Sequence, residues 1–343
     1  NEHPSERSLR TALDDLYGAV LSIDSGKKGE NHVISVRLEI ANQDYLSSNQ
    51  QILDKAIKLM NEIIFNPKSN QQSFDQKIVL REKQTLKQKI ESVIDDKMTY
   101  ANMRLIDEMC KEEPYQLHVH GYLDDLDKIN EDTLYDYYRQ LLTKDSLDIY
   151  VLGDLKGKNV KQLIANYFSR EQVTTSNSMD QTKKEINEVA EVIEEQNVQQ
   201  GKLHLGYRTN VRYNDPDYYA LQVFNGIFGG FPSSKLFMNV REKHSLAYYA
   251  ASRFESHKGL LFVFSGIDPK DYKKAKDIII SQMDAMKTGE FTDSHVDETK
   301  NMIVNQLQET MDNSQGVIEV LYHQVLADSN ITPDQLIEGI KQV

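Results

Sequence analysis

One stretch decides the fold: residues 228–249 read Phe-Gly-Gly-Phe-Pro-Ser-Ser-Lys-Leu-Phe-Met-Asn-Val-Arg-Glu-Lys-His-Ser-Leu-Ala-Tyr-Tyr. No glycine-rich phosphate-binding pattern surrounds the pair at 229–230, so these glycines predict a turn that opens a helix. Arg241 and Tyr248 follow on that helix and on the next segment. On residue types alone the structural interpretation is favoured, with Arg241 ending an exposed helix and Tyr248 filling a strand face.

The composition excludes several classes of protein. A chain of 343 residues predicts two domains. Its 40 basic and 53 acidic residues give a formal charge of -13, which argues against nucleic acid and anionic membranes as partners. The single cysteine, Cys110, rules out a disulfide framework and a thiolate metal site within the chain, and it predicts a cytoplasmic location.

Hydrophobic periodicity divides the chain into a first domain at 1–175, a linker at 176–195 and a second domain at 196–343. The linker is polar and acidic, with little periodicity. The elements predicted in the first domain are a strand at 33–40, helices at 9–17, 53–64, 74–93, 97–110, 131–142 and 159–168, and a buried strand at 147–153.

The order of elements is repeated. Residues 32–45 and 259–272 both predict a strand that ends near an Asp-Tyr pair, and an offset of 227 residues aligns Tyr45 with Tyr272. Each copy continues with an amphipathic helix, a polar break and a long charged helix, at 74–93 and 296–311. This agreement predicts a tandem duplication.

The nine histidines predict no zinc site. None has another histidine four residues later, so the chain contains neither HExxH nor HxxEH. His118 and His120 stand two residues apart with no acidic or Cys ligand in an obvious position. A solvated loop is the favoured interpretation of that pair.

Residues 228–249 closely resemble the second-domain signature of the pitrilysin and insulinase-type zinc peptidases and of the mitochondrial processing peptidases. Weaker similarities, such as Phe65-Asn-Pro and Glu113-Pro-Tyr, extend over nearly the whole chain. The resemblance implies an α+β fold of two tandem homologous domains, each a largely antiparallel sheet with helices packed on one face. It also implies that Arg241 and Tyr248 bind substrate, since a guanidinium and a phenol hydroxyl can hold a peptide carbonyl and stabilise an oxyanion.

The chain differs from this family in the residues that would bind zinc. Catalytic members carry HxxEH and, on a later helix, a glutamate that is the third zinc ligand. This later helix also holds an upstream glutamate and an acidic pair. Aligning Asp95-Asp96 with that acidic pair puts Glu82 at the position of the upstream glutamate and Lys89 at the position of the zinc ligand. A protonated lysine has no lone pair for zinc. Glu91 would be the ligand if the alignment were shifted. The HxxEH helix would precede residue 1, and members of the family continue beyond Val343, so we expect both ends to be shortened.

The resemblance therefore implies a zinc-less subunit of a heterodimeric metalloendopeptidase, without catalytic or metal-binding residues of its own. Its expected partners are peptide substrate and a homologous subunit that bears HxxEH and holds the zinc; a homodimer is an open alternative. A second hypothesis is a non-catalytic scaffold or peptide-binding protein of the same fold. Retention of both Arg241 and Tyr248 favours the first hypothesis, and Lys89 opposes a self-sufficient enzyme.

Overall fold

A computed structural model describes residue 3 and residues 5–46, 51–70, 72–170, 173 and 183–343. The described residues form two compact units: a first within 1–27, 31–92 and 118–177, and a second within 28–30, 93–117 and 178–343. The domain boundaries expected from the sequence stay a prediction. Residues 176–182 of the expected linker lie outside the described residues.

Helices make up most of the regular structure. The helices are α1 (Glu6–Asp14), α2 (Ile52–Phe65), α3 (Gln76–Ser92), α4 (Lys97–Met109), α5 (Leu123–Leu126), α6 (Glu131–Lys144), α7 (Val160–Tyr167), α8 (Tyr218–Asn225), α9 (Tyr272–Lys287), α10 (Asp293–Met311), α11 (Ser314–Leu326) and α12 (Pro333–Gln342). The strands are β1 (Val20–Lys28), β2 (Asn31–Glu39), β3 (Gly201–Arg208), β4 (Ala247–Glu255) and β5 (Leu260–Ile267).

The first unit combines a two-stranded sheet, β1 and β2, with helices. Ser5 begins α1 with a capping box, which satisfies backbone N–H groups that the first turn leaves free. The apolar stripe of α2 buries Ile52, Ala56 and Leu59 against Leu16. This small core explains why the apolar positions of α2 recur at helical spacing.

The second unit is built on a three-stranded antiparallel sheet in the order β3-β5-β4. The central strand β5 is buried along its whole length, and its side chains alternate between two faces. Leu261, Val263 and Ile267 belong to the main core, with side chains from α8, α9, α10 and α12. The sheet therefore buries one face under helices, as the predicted fold class requires.

Helix α4 packs beside the other residues of β5. Leu260, Phe262 and Phe264 form a second cluster with Cys110 and Tyr115, and Met109 packs against it. A Cβ atom at Gly206 on β3 would lie 2.5 Å from Met109 Sδ, so glycine permits the close approach of α4 to the strand. Helix α4 is thus an addition, on the opposite face of the sheet, to the layer of helices that the predicted fold class implies.

The same order of elements recurs in the two units. Strand β2 is followed by a 3₁₀ turn at Gln43–Tyr45 and then by α2 and α3, while β5 is followed by a 3₁₀ turn at Pro269–Asp271 and then by α9 and α10. This order agrees with the tandem arrangement that the sequence predicts.

The predicted buried strand at 147–153 is wrong. The segment forms no strand, and Leu147, Ile149 and Leu152 are exposed. A strand needs a ladder of hydrogen bonds to a neighbour, and this segment pairs with no other described strand. An apolar run alone does not provide that neighbour.

Candidate functional site

The segment that carries Arg241 is not a regular α-helix. Helix α8 continues into a π-helical turn, Gly226–Gly230, and a second π-helical segment covers Phe237–Lys243. Leu236 and Val240 are fully buried and anchor the second segment in the core. π-helical turns are rare in proteins, and those that occur often lie at functional sites. This geometry therefore singles out the same stretch that the sequence does.

Gly229 is the point of closest packing in this stretch. A Cβ atom there would lie 2.5 Å from Ser252 Oγ and 2.7 Å from Leu236 Cδ1. Any side chain would push the π-helical turn away from β4. Gly229 therefore lets the first π-helical turn pack closely against β4, shortly before the segment that carries Arg241.

Arg241 presents part of its guanidinium to solvent. Its Cζ lies 4.6 Å from the centre of the Phe237 ring, a cation-π contact that limits where the guanidinium can go. Arg241 Nε lies 3.6 Å from Glu242 Oε1, and the arginine side chain is 44% exposed. The Phe237 ring thus limits the position of the guanidinium, while close to half of the arginine side chain stays exposed.

A tight turn joins Arg241 to the strand that carries Tyr248. The Ser245 N–H donates to Arg241 O at 2.9 Å and the Leu246 N–H donates to Val240 O at 3.0 Å. Ser245 adopts a left-handed backbone conformation with φ 52°. The turn places Leu246 in the core and returns the chain at once to β4.

Tyr248 is the extra residue of a β-bulge. Ala247 stands opposite Ile267 and Tyr249 opposite Gly266, so Tyr248 has no partner residue on β5. Bulges redirect a side chain, and Tyr248 is 67% exposed. The structure thus sets Arg241 and Tyr248 on either side of one short turn, both open to solvent. Their substrate-binding role stays a prediction.

The residues near the expected ligand position do not fit zinc. Lys89 lies exposed in the last turn of α3. Burial, followed by the positive charges of Lys89 and His32, lowers the pKa of His120. Within the ranges that the structure describes, no group of three or more His, Cys, Asp or Glu side chains is arranged to hold a metal ion. A divalent cation beside Lys89 would meet like charge.

The carboxylates near Lys89 are engaged with cations on the same helix. Glu82 pairs with Arg81 at 2.7 Å, and Glu91, the alternative ligand, lies 3.8 Å from Lys87. His118 packs against Tyr122 in the loop that carries His120, with ring centres 4.6 Å apart and an angle of 32° between the ring planes.

A buried ionic cluster in the second unit was missed by the sequence analysis. Glu113 accepts from Arg208, from Lys258 at 2.8 Å and from Lys184 at 2.8 Å, and Lys258 also pairs with Glu30. Burial alone would raise the pKa of Glu113, but these donors together lower it to about 2. Only the pattern Glu113-Pro-Tyr pointed to this position, and nothing in it indicated burial.

The comparisons with known proteins decide the family. A family model described as "Peptidase M16 inactive domain" matches residues 128–303. The chain belongs to the M16 peptidase family. It is 48% identical over 341 residues to "Probable inactive metalloprotease YmfF" of Bacillus subtilis, covering 99% of this chain and 80% of that protein.

Solved structures show the same fold. A conserved protein from Enterococcus faecalis is 34% identical with a TM-score of 0.91, covering 99% of this chain and 80% of that one. A peptidase M16 inactive domain from Pseudomonas fluorescens has a TM-score of 0.71 at 16% identity, covering 98% and 77%, and shows the fold alone. The predicted family and fold class are confirmed. In the described part of this M16 chain, no helix is long and apolar enough to cross a membrane.

Proposed function

We propose that this chain is a zinc-less M16 subunit that binds peptide and completes the active site of an HxxEH-bearing partner. The observation that carries the proposal is the exposure of Arg241 and Tyr248 on either side of one turn. Arg241 contacts only its own segment, through Phe237 and Glu242 in the contacts described above, and both side chains remain exposed. Here a π-helical segment and a β-bulge direct both toward solvent.

The chemistry of the two side chains suits peptide hydrolysis. A guanidinium donates through a planar fork, and a phenol hydroxyl donates one further hydrogen bond. Both can hold a scissile carbonyl and stabilise the negative charge that develops on its oxygen. Attack by water needs a metal or base that the partner would supply, because Lys89 occupies the expected ligand position. The zinc, the heterodimer and the cytoplasmic location are parts of this proposal.

One relative supports the part of the proposal that this chain has no peptidase activity of its own. The 48% identical protein of Bacillus subtilis is described as a probable inactive metalloprotease. By analogy, we infer that this chain alone does not cleave peptides.

The test is the kcat/KM of the chain reconstituted with a homologous HxxEH subunit on an unstructured peptide. Tyr248→Phe removes one donor and keeps the ring, so kcat/KM should fall by about 10²-fold. Arg241→Lys should also lower kcat/KM, because an ammonium group does not reproduce the planar fork of the guanidinium. Tyr45→Phe, at an exposed tyrosine of the first unit, is the matched control and should leave turnover unchanged.

The melting temperature and the assembly of each variant are measured in parallel. If Tyr248→Phe assembles with the partner and keeps full turnover, Arg241 and Tyr248 have structural roles only. The non-catalytic scaffold would then be the better account.

A further inference from the structure

An ordered but irregular segment at residues 184–195, here called the acidic strap, crosses the second unit. It forms neither helix nor strand. The backbone of Lys184 is clamped by Asn210, whose side-chain amide accepts from Lys184 N at 3.3 Å and donates to Lys184 O at 3.2 Å. Lys184 Nζ also pairs with Glu113 at 2.8 Å. The first end of the strap is therefore fixed.

Two glutamates fix the other end of the strap. Glu194 accepts from Arg104 Nε at 2.6 Å and from the Tyr100 hydroxyl at 2.9 Å, both on α4. Glu191 accepts from the Tyr272 hydroxyl and from Lys276 Nζ, both on α9. The strap is thus tied to two helices through charged hydrogen bonds, not through apolar packing.

The aliphatic side chains of the strap face solvent. Val189 is 89% exposed, Ile193 70%, Ile186 61% and Val192 54%. Four large aliphatic residues exposed within eight positions form a concentrated apolar surface on an anchored segment. A segment whose only role is to connect domains needs no such side chains, since flexible linkers are polar.

The backbone of the strap is also unpaired. Among the described residues, none hydrogen-bonds to the N–H or C=O groups of residues 186–193. A segment that lies outside helices and strands, with free backbone groups and exposed aliphatic side chains, is suited to pairing with a strand of another chain. Glu185, Glu188 and Glu195 are exposed along the same segment.

We propose that the acidic strap is a docking edge for an extended, basic and aliphatic strand of a separate protein chain. The charges of the strap favour lysine or arginine at the positions that face Glu185, Glu188 and Glu195. A second copy of this chain is the poorer occupant, because it has the same acidic strap and a formal charge of -13. The inference is independent of the roles of Arg241 and Tyr248.

The probe is a fluorescein-labelled peptide of alternating lysine and valine, titrated into the full chain and followed by anisotropy. It should bind, and binding should weaken as salt rises through 0.1 M, where the Debye length is about 10 Å. A glutamate and valine peptide should not bind. The double variant Val189→Asp with Ile193→Asp should bind the probe at least about tenfold more weakly. Ile23→Asp with Ile34→Asp, at similarly exposed strand positions of the first unit, is the matched control and should bind normally.

Hydrogen exchange identifies the occupant. The amides of residues 186–193 should exchange rapidly in the chain alone and slowly with the probe bound. Protection in the chain alone at low concentration would mean that the chain covers its own strap, and protection that grows with concentration would mean a second copy. Either result, or probe binding that the aspartate variants leave unchanged, overturns the proposal.

Discussion

Neutralising Glu113 should destabilise the second unit more than any surface charge change. Its side chain is 5% exposed and holds two buried cations, Arg208 and Lys258. A pKa lowered from an ordinary 4.5 to about 2 corresponds to about 3 kcal/mol in favour of the ionised, folded state. Glu113→Gln keeps the shape, removes the charge and leaves both cations undercompensated, so we expect a loss of about 3 kcal/mol.

The assay is urea unfolding followed by far-ultraviolet circular dichroism, with the free energy taken by linear extrapolation. Glu108→Gln is the control, because Glu108 pairs with Arg104 on the exposed side of α4 and should contribute less than about 1 kcal/mol. A lowered pKa stabilises the fold above the unfolded value, so the advantage of the native chain over Glu113→Gln should be complete above pH 4.5. It should disappear as the pH falls toward 2. A loss below about 1 kcal/mol at neutral pH would refute this account of the cluster.

Two further substitutions and one metal analysis test other parts of the structure. Gly229→Ala should cost about 1–3 kcal/mol in unfolding experiments, because its Cβ would meet Ser252 and Leu236, whereas Gly26→Ala meets nothing within 4 Å and should be nearly neutral. His323 stacks on His257, and burial lowers the pKa of His323 from 6.5 to about 4. Between these two values the unfolded chain binds more protons than the folded chain, so stability should fall as the pH is lowered from 6.5 to 4. His323→Phe should make this fall in melting temperature smaller. Elemental analysis of the purified chain should give well below one zinc per chain, and a value near one would contradict the assignment of Lys89.

The long amphipathic helices were predictable because the spacing of apolar residues within each segment is enough to indicate a helix. The apolar stripe of α2 and the charged run of α3 lie within two residues of where the periodicity places them. Strand β1 was missed because its sequence, Val-Leu-Ser-Ile-Asp-Ser-Gly-Lys-Lys, is largely polar and none of its residues is fully buried. Its pairing with β2 comes from the hairpin and not from an apolar face.

Features that depend on a distant neighbour could not be predicted. The bulge at Tyr248 exists only in the register between β4 and β5, which the sequence of residues 247–249 does not specify. Helix α4 was assigned to the first domain by its place in the chain, yet it packs on β3. The burial of Glu113 follows from that packing. In contrast, Arg241 and Tyr248 were singled out by the local pattern at residues 228–249, which can be recognised without knowledge of the fold, and their substrate-binding role stays a prediction.

We propose that this chain supplies part of an active site and lacks the metal. The most direct measurement compares peptide cleavage by the purified chain, by a homologous HxxEH subunit and by an equimolar mixture, with and without a zinc chelator. We expect the chain alone to be inactive and the mixture to be far more active than the HxxEH subunit alone, with all activity lost to the chelator. Chelator-sensitive cleavage by the isolated chain at an ordinary enzymatic rate, or a mixture no more active than the HxxEH subunit, would contradict it.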